Sequence, residues 1–402
     1  MNITVLGGCG AVGTVAVQTL NASGVFSRIA IGDINEEKAR DLAGACGSGN
    51  VSAIRIDADD PASIRAAIEG SAVVLNCVGP FYRYGPAILR ATIAAGIDYV
   101  DVCDDFDATE HCLALDAEAK RAGVAALIGM GSSPGIANVL VRFCAEDLLE
   151  QVESIDIYHA HGGEATEGPA VVKHRIHSMQ VPIPVFVDGR FERLGLFEQK
   201  GRAFEETTEF NDVGTYDVYL YPHPETITLP RYIAGVKRVT NLGLVLPPAY
   251  AELIKGVVRL GITGEEPLAV DGRPVVPLEF AVTYILSQRA RLTREAGLTA
   301  PMGCLKIVVK GQKGGDRHTY IFSMSSRGHG MGEGTGIPAA LGAILMAQGK
   351  IRGKGVLPPE ACVVPLELME LAKKHVHMEG RSGMPLLLEH IDGRGVKEII
   401  NL

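Results

Sequence analysis

The chain has 402 residues, more than one hydrophobic core usually serves, which points to two domains. Its 47% hydrophobic and 21% charged residues, with 48 glycines, suit a globular fold rich in tight turns and exclude a disordered or fibrous one. The formal net charge of −9 argues against a nucleic-acid or anionic-membrane partner and leaves small substrates open.

In chain order, the first 130 residues alternate between two kinds of pattern. "NITVL" (2–6) reads as a buried strand and "AVGTVAVQTL" as a helix, and "RIAI" (28–31) with "NEEKARDLAGA" repeats the unit. "SAIRI" (52–56) pairs with "DDPASIRAAIEG", whose early proline costs little, and "AVVLN" (72–76) with "GPAILRATIAAG". "DYVDV" (98–102), the helical "TEHCLALDAEAKRAG" and "VAALIG" (124–129) complete the series. Short β-branched strands between longer helices predict an α/β fold, a doubly wound parallel sheet of Rossmann type over residues 1–130. Over 131–330 longer alternating stretches such as "SIDIYHAHGG" and "LKIVVKG" predict an inserted α+β substrate domain, an antiparallel sheet with few helices. A glycine-rich link then leads into a helical segment within 331–402, "IPAALGAILMAQGKI".

Eight cysteines form no C-x-x-C pair, and several fall inside apolar runs. They read as buried thiols in a reducing compartment, with Cys77 and Cys103 as packing residues and no disulfide framework. The chain enters a strand at once, without a basic leader, and no apolar run approaches the ~20 residues of a membrane helix. A cytoplasmic protein without a membrane span is expected.

"LGGCGAVG" sits between the first strand and the first helix. Gly8, Gly10 and Gly13 satisfy G-x-G-x-x-G, and Gly7, Gly10 and Gly13 fit a second register. Glycine is needed there because a Cβ would hold the backbone off a pyrophosphate, which the helix N-terminus attracts. Cys9, Ala11 and Val12 complete this cofactor loop. Asp33 ends the second strand 20 residues after Gly13, the spacing of a ribose-diol acceptor, and no Arg or Lys follows before Lys38. A carboxylate there repels a 2′-phosphate, so NAD is favoured over NADP. Asp57 and Ala58 end the third strand as candidate adenine neighbours, with helix capping as the alternative for Asp57.

"VGPFYRYG" follows the fourth strand, expected beside the first, and so runs toward the nicotinamide end. Val78, Gly79 and Pro80 are read as shaping the backbone at the cofactor. Arg83 and Tyr84 are candidate catalytic and substrate-binding residues, the guanidinium matched to a carboxylate. The alternative is an exposed arginine beside packed aromatics.

"VLGGCGAVG", "NCVGPFYRYG", "DYVDVCDD", "GMGSSPGIANVL", "HPETITLPRYIAGVKRVTNLG" and "TGIPAALGAILMAQGKIRGKGVLPPE" carry a resemblance over nearly the whole chain. The sequence resembles the saccharopine dehydrogenase family, especially its L-lysine 6-dehydrogenase-like branch. The resemblance implies a Rossmann domain, an inserted domain that also dimerises, and a helix from Thr335 returning to the first sheet. It further implies oxidoreduction at the C–N bond of an amino acid, often by a homodimer. The G-x-D-P-G segment of saccharopine-forming members is here "GSSPG" (131–135), which argues against saccharopine itself as substrate.

Amine oxidation needs an apolar floor, a carboxylate clamp and a base for the ammonium proton. Asp101, ending the fifth strand, is placed for that base, with capping as its equal alternative. "YPHPETITLPR" offers His223, Glu225, Thr226 and Arg231 between rigid prolines as substrate readers, or as a solvated surface loop. His159, His161 and the histidines of "KHRIHSM" read as core or interface residues, since no acidic or thiolate partner stands at ligand spacing; no metal is expected. No Ser-His-Asp pattern, nucleophile elbow or Walker loop points to a hydrolase or kinase. Oxidative deamination of lysine or a related diamino acid leads. Reductive joining of an amine to a keto acid or aldehyde, and a silent NAD-binding dimer, are the alternatives.

Overall fold

The structure, a computed structural model, describes residues 1–164, 167–378, 381–382 and 385–400. Six short apolar runs form β1 (Asn2–Leu6), β2 (Arg28–Asp33), β3 (Val51–Arg55), β4 (Val73–Asn76), β5 (Asp98–Asp101) and β6 (Ala125–Leu127). They lie parallel in the order β6-β5-β4-β1-β2-β3, the doubly wound arrangement expected. Leu6 is level with Gly32 and Asn76, and Asn76 with Asp101, so the carboxyl ends share one edge. The crossovers are α1 (Ala11–Ser23), α2 (Glu36–Ala45), α3 (Pro61–Ile68), α4 (Phe81–Ala94), α5 (Phe106–Leu113) and α6 (Asp116–Ala122). Asn35 and Asp60 cap α2 and α3 by accepting from the N–H of Lys38 and Ala62.

Two expectations change here. "TEHCLALDAEAKRAG" forms two helices, α5 and α6, instead of one. "FYRYG" is not a loop: it is the first turn of α4, entered from the extended backbone of Pro80.

After α7 (Ile136–Phe143), the chain builds a second sheet from β7 (Gln151–Gly162), β8 (Ile183–Val187), β9 (Arg190–Leu194), β10 (Glu206–Phe210), β11 (Gly214–Leu220) and β12 (Arg238–Leu246). A separate hairpin, β13 (Leu268–Val270) with β14 (Arg273–Val275), precedes β15 (Met302–Lys313) and β16 (Asp316–Arg327). The sheet is mixed, because β12 runs parallel to β7 while β15 pairs with β7 antiparallel. Nor are helices few: α8 (Pro169–Gln180), α9 (Gln199–Arg202), α10 (Glu225–Tyr232), α11 (Pro248–Arg259) and α12 (Pro277–Glu295) belong to this region. A parallel β7–β12 pair requires a long crossover, and Ile176, Tyr250, Ile254 and Ile285 of α8, α11 and α12 share one buried cluster with Leu242 and Leu244.

The chain then returns to the first sheet. α13 (Met331–Ala347) begins four residues before the expected Thr335. A Cβ on its Gly336 would stand 2.5 Å from the Val12 carbonyl oxygen, so α13 lies directly on the first turn of α1. β17 (Gly355–Leu357) adds a seventh parallel strand beside β6. Beyond α14 (Pro359–Cys362) and α15 (Pro365–His375), β18 (His377–Met378) pairs with β19 (Arg381–Ser382), and β20 (Leu386–Ile391) and β21 (Lys397–Ile400) extend the second sheet past β16. Leu75, Val100, Leu127, Leu341 and Ile344 are fully buried between α13 and the parallel sheet, about 1.5–3 kcal/mol for each large aliphatic side chain. Among the described residues, no helix is long and apolar enough to cross a membrane.

Candidate active site

A cavity of about 460 Å³ opens at the carboxyl edge of the parallel sheet and runs onto the facing side of β7, β15 and β16. One end is formed by the glycine loop, Gly79–Phe81 and the start of α13; the other is polar.

At the first end the backbone sets the shape. Gly7 has φ of 71°, and its Cβ would meet the Cys77 carbonyl at 2.8 Å. A Cβ on Gly13 would stand 2.2 Å from the Gly7 oxygen, and one on Gly8 would stand 2.6 Å from Ile31 Cγ2. Gly10 alone in this loop meets nothing closer than 3.5 Å; it caps α1 and faces the cavity with Ala11, Val12 and Gly13. The working register is therefore Gly7, Gly10, Gly13, with Gly8 packed on β2. Asp33 lies against this loop, its Oδ2 accepting from the Cys9 N–H and its Oδ1 from the Asn35 N–H, each at 3.0 Å. Burial and then the Asp33 carboxylate push the Cys9 thiol up to about 11. A cradle closed to a Cβ at Gly7, Gly8 and Gly13, at a helix N-terminus with a carboxylate alongside, fits a dinucleotide.

Several expected site residues stand elsewhere. Arg83 is 57% exposed and donates to Asp59 Oδ1 at 3.0 Å, while Tyr84 donates to Asp59 Oδ2 at 3.3 Å. Because α4 begins at Phe81, its first turn carries both away from the cavity, which takes only Gly79, Pro80 and Phe81 from this segment. Val78 folds the strand end instead, donating to Asn76 Oδ1 at 3.0 Å. Asp57 and Ala58 do not line the cavity; Asp57 Oδ1 accepts from the Asp59 N–H in the turn before α3, whose cap is Asp60 and not Asp57. Asp101 is sealed from solvent, its Oδ1 accepting from the N–H groups of Gly129 and Cys103. Burial pushes it up to about 6 against those two donors, and it ties β5 to the end of β6 rather than facing substrate. Arg231 ends α10 on the surface, and Thr226 is buried, donating to the His223 carbonyl.

The polar end is assembled from residues far apart in sequence. Arg175 of α8 is 4% exposed and paired with Glu167, whose other oxygen accepts from Tyr250. His174 contacts Asp105 Oδ1 at 2.7 Å and Asp104 Oδ2 at 3.5 Å. Burial pulls this imidazole down, but the two carboxylates outweigh it and raise it to about 9. Beside the cavity, Tyr82 stacks on His177 at 4.0 Å, and His177 pairs with Asp107. Nearby, Ser133 donates to the fully buried Glu225 and lies 3.4 Å from His159 Nε2, while His223 Nδ1 faces Glu225 Oε2 at 3.5 Å. Sequence reasoning gave Asp104, Asp105 and Arg175 no role, read His174 with His159 and His161 as core or interface residues, and met Ser133 only as the departure in "GSSPG".

His159, His223 and Glu225 bring one nitrogen or oxygen each within 4.8 Å of one another, as do Asp104, Asp105 and His174. The acidic partner missing from the sequence around His159 is thus supplied by Glu225, which corrects that expectation. Ser133 already engages His159 Nε2 and Glu225 Oε1, and the two aspartates engage His174, whereas His223 Nδ1 and Glu225 Oε2 face each other at 3.5 Å without a hydrogen-bond partner.

Residues 3–127 match the family model of the saccharopine dehydrogenase NADP binding domain, and residues 131–377 that of the saccharopine dehydrogenase C-terminal domain. The chain belongs to the saccharopine dehydrogenase family. It is an oxidoreductase of that family, acting on C–N bonds with a nicotinamide cofactor. Among its relatives, carboxyaminopropylagmatine dehydrogenase of Synechocystis sp. is 24% identical over 371 residues, 88% of this chain and 91% of that one. Carboxynorspermidine synthase of Vibrio alginolyticus is 22% identical over 330 residues, 76% of this chain and 77% of that one. The solved saccharopine dehydrogenase (L-Glu forming) from Saccharomyces cerevisiae shares the fold, with a TM-score of 0.69 at 16% identity over 97% of this chain and 99% of that one.

Proposed function

We propose that this saccharopine dehydrogenase family member uses NAD(H) to join an amine to a carboxyl-bearing aldehyde or keto acid, or to reverse that reaction. The observation that carries the reading is one continuous cavity with a glycine cradle at one end and both signs of charge at the other. Arg175 suits a carboxylate, and Asp104, whose side chain is 38% exposed, suits an ammonium group. A bound nicotinamide supplies hydride transfer at the substrate carbon. The chain's own residues exclude water through Phe81, Val102, Leu305 and Ile337 and orient the two charged groups. The names of both relatives describe a carboxyl group carried on an amine-bearing chain, which supports joining over oxidative deamination of lysine.

Asp33 beside the loop supports NAD, although the matching domain is described as NADP binding. Eight unpaired thiols support a reducing, cytoplasmic setting. Phe280 and Tyr284, stacked and exposed on α12, with Leu268 and Val270 exposed on the β13–β14 hairpin, are what a homodimer would cover. The test is NADH and NADPH consumption with lysine, agmatine and polyamines, each paired with keto acids and carboxyl-bearing aldehydes, and NADH formation from each amine alone. NADH consumption that requires both partners supports the reading. NADH formation from lysine alone replaces it with deamination.

A further inference from the structure

The proposed reaction leaves one arrangement at the polar end unused. Ser133, in the turn before α7, donates its hydroxyl proton to Glu225 Oε1 of α10 and lies 3.4 Å from His159 Nε2 of β7. With that one proton committed, Oγ can only accept from the ring. This sets the Nε2–H tautomer of His159 and leaves the lone pair on Nδ1. His159 and Ser133 both line the cavity, while Glu225 is fully buried behind them. Around the ring stand His161 on its own strand, the Asn241 side chain of β12, Glu225 within 4.8 Å and, from the β11–α10 segment, Tyr221 and His223 with centroids at 5.6 and 4.8 Å. Arg175 of α8 stands beyond Tyr221. Burial first, then His223 and His161, hold His159 well below the ordinary histidine value, so it is neutral at physiological pH.

We propose that His159 Nδ1 is the acid–base group for the substrate nitrogen, with Ser133 and Glu225 as positioning residues. The inference rests on the amine–carbonyl reading above. In the oxidative direction a substrate N–H bond breaks, the proton goes to Nδ1, and the electron pair stays on nitrogen, where it assists hydride departure from the adjacent carbon. In the reductive direction the imidazolium returns that proton. As the imidazolium forms, its Nε2–H donates to Ser133 and Ser133 to the Glu225 carboxylate, so the new charge meets a fixed partner.

The experiment compares wild type with His159→Asn, Ser133→Ala, Ser133→Thr and Glu225→Gln. NADH affinity is measured by fluorescence, kinetics on the amine–carbonyl panel from acid to neutral pH, and ¹⁵N NMR of ring-labelled histidine without cofactor. His159→Asn should lower kcat by about 10²–10⁴-fold, abolish one limb of the pH profile and leave NADH affinity unchanged. Ser133→Ala and Glu225→Gln should shift that limb, and Ser133→Thr should restore it. The NMR spectrum should show an Nε2–H tautomer at His159 that is lost in Ser133→Ala, a readout independent of turnover and of how well His159→Asn folds. An active wild type with His159→Asn unchanged in kcat and pH profile, or an Nδ1–H tautomer, overturns this proposal alone. One tightly held zinc per chain also overturns it. An inactive wild type overturns it together with the reading it rests on.

Discussion

The two ends of the cavity are built from different materials. At the nucleotide end the shape is backbone: Gly7 in a left-handed turn, Gly13 within 2.2 Å of a carbonyl if it had a Cβ, Gly10 open. At the polar end the shape is side chains withdrawn from water, with Arg175 and Glu167 each 4% exposed and Glu225 fully buried. The contrast teaches how each fails. A backbone cradle breaks when atoms are added, and a set of desolvated charges breaks when one partner is removed.

The largest effect should come from adding atoms at Gly13. Gly13→Val forces a side chain into the Gly7 carbonyl, so NADH fluorescence titration should show binding abolished. Gly10→Ala, in open space, should keep measurable binding; equal loss in both would break the contrast. Next, removing a partner at the polar end with Arg175→Met strands the Glu167 carboxylate. This should cost about 3–5 kcal/mol of stability, read by denaturant unfolding. The nearby Arg289, 3.5 Å from Glu167, sets the expectation at the lower end.

A smaller effect tests the one side chain important at the nucleotide end. Asp33→Ser should lower kcat/KM for NAD by about 10- to 100-fold, the value of a charged hydrogen bond of about 1.5–3 kcal/mol. The rate with NADPH should rise or hold. An enzyme that prefers NADPH before the change would show that Asp33 does not govern the choice.

The polar end also predicts a pH dependence. His174 is held at about 9, above its unfolded value of about 6.5, so its contribution is complete below the lower value and lost as pH rises through the upper. Melting temperature should therefore fall between those two pH values in wild type and stay flatter in His174→Gln. Smallest of all is Arg83→Ala. Its exposed pair with Asp59 is worth at most about 1 kcal/mol, and neither substrate KM nor NADH affinity should change. A rise in KM would return Arg83 to the cavity and sink the placement of α4.

Alternation of apolar runs with helices, the glycine spacing and Asp33 are local features. Their physics acts within one strand–turn–helix unit, so the parallel sheet and the nucleotide end were legible from residues 2–33. The readings of Arg83 and Asp101 failed because each turned on a direction that sequence spacing does not carry. Arg83 depended on where α4 starts, and Asp101 on whether a strand-end carboxylate faces the cavity or the N–H groups of the next strand. The parallel β7–β12 pair, with α8 carrying Arg175 and His174 to the cavity, was hidden because alternation along a strand does not state the direction of its neighbour.

What the chain's order alone determined is the cradle, since glycine freedom and helix N-termini act over a few residues. What only the tertiary structure decided is the chemistry opposite it. Ser133, His159 and Glu225 lie up to 92 residues apart, and no local rule aligns them. Their meeting depends on the turn after β6, the strand β7 and the helix α10 converging in the folded chain, where exclusion of water favours polar partners found across the fold.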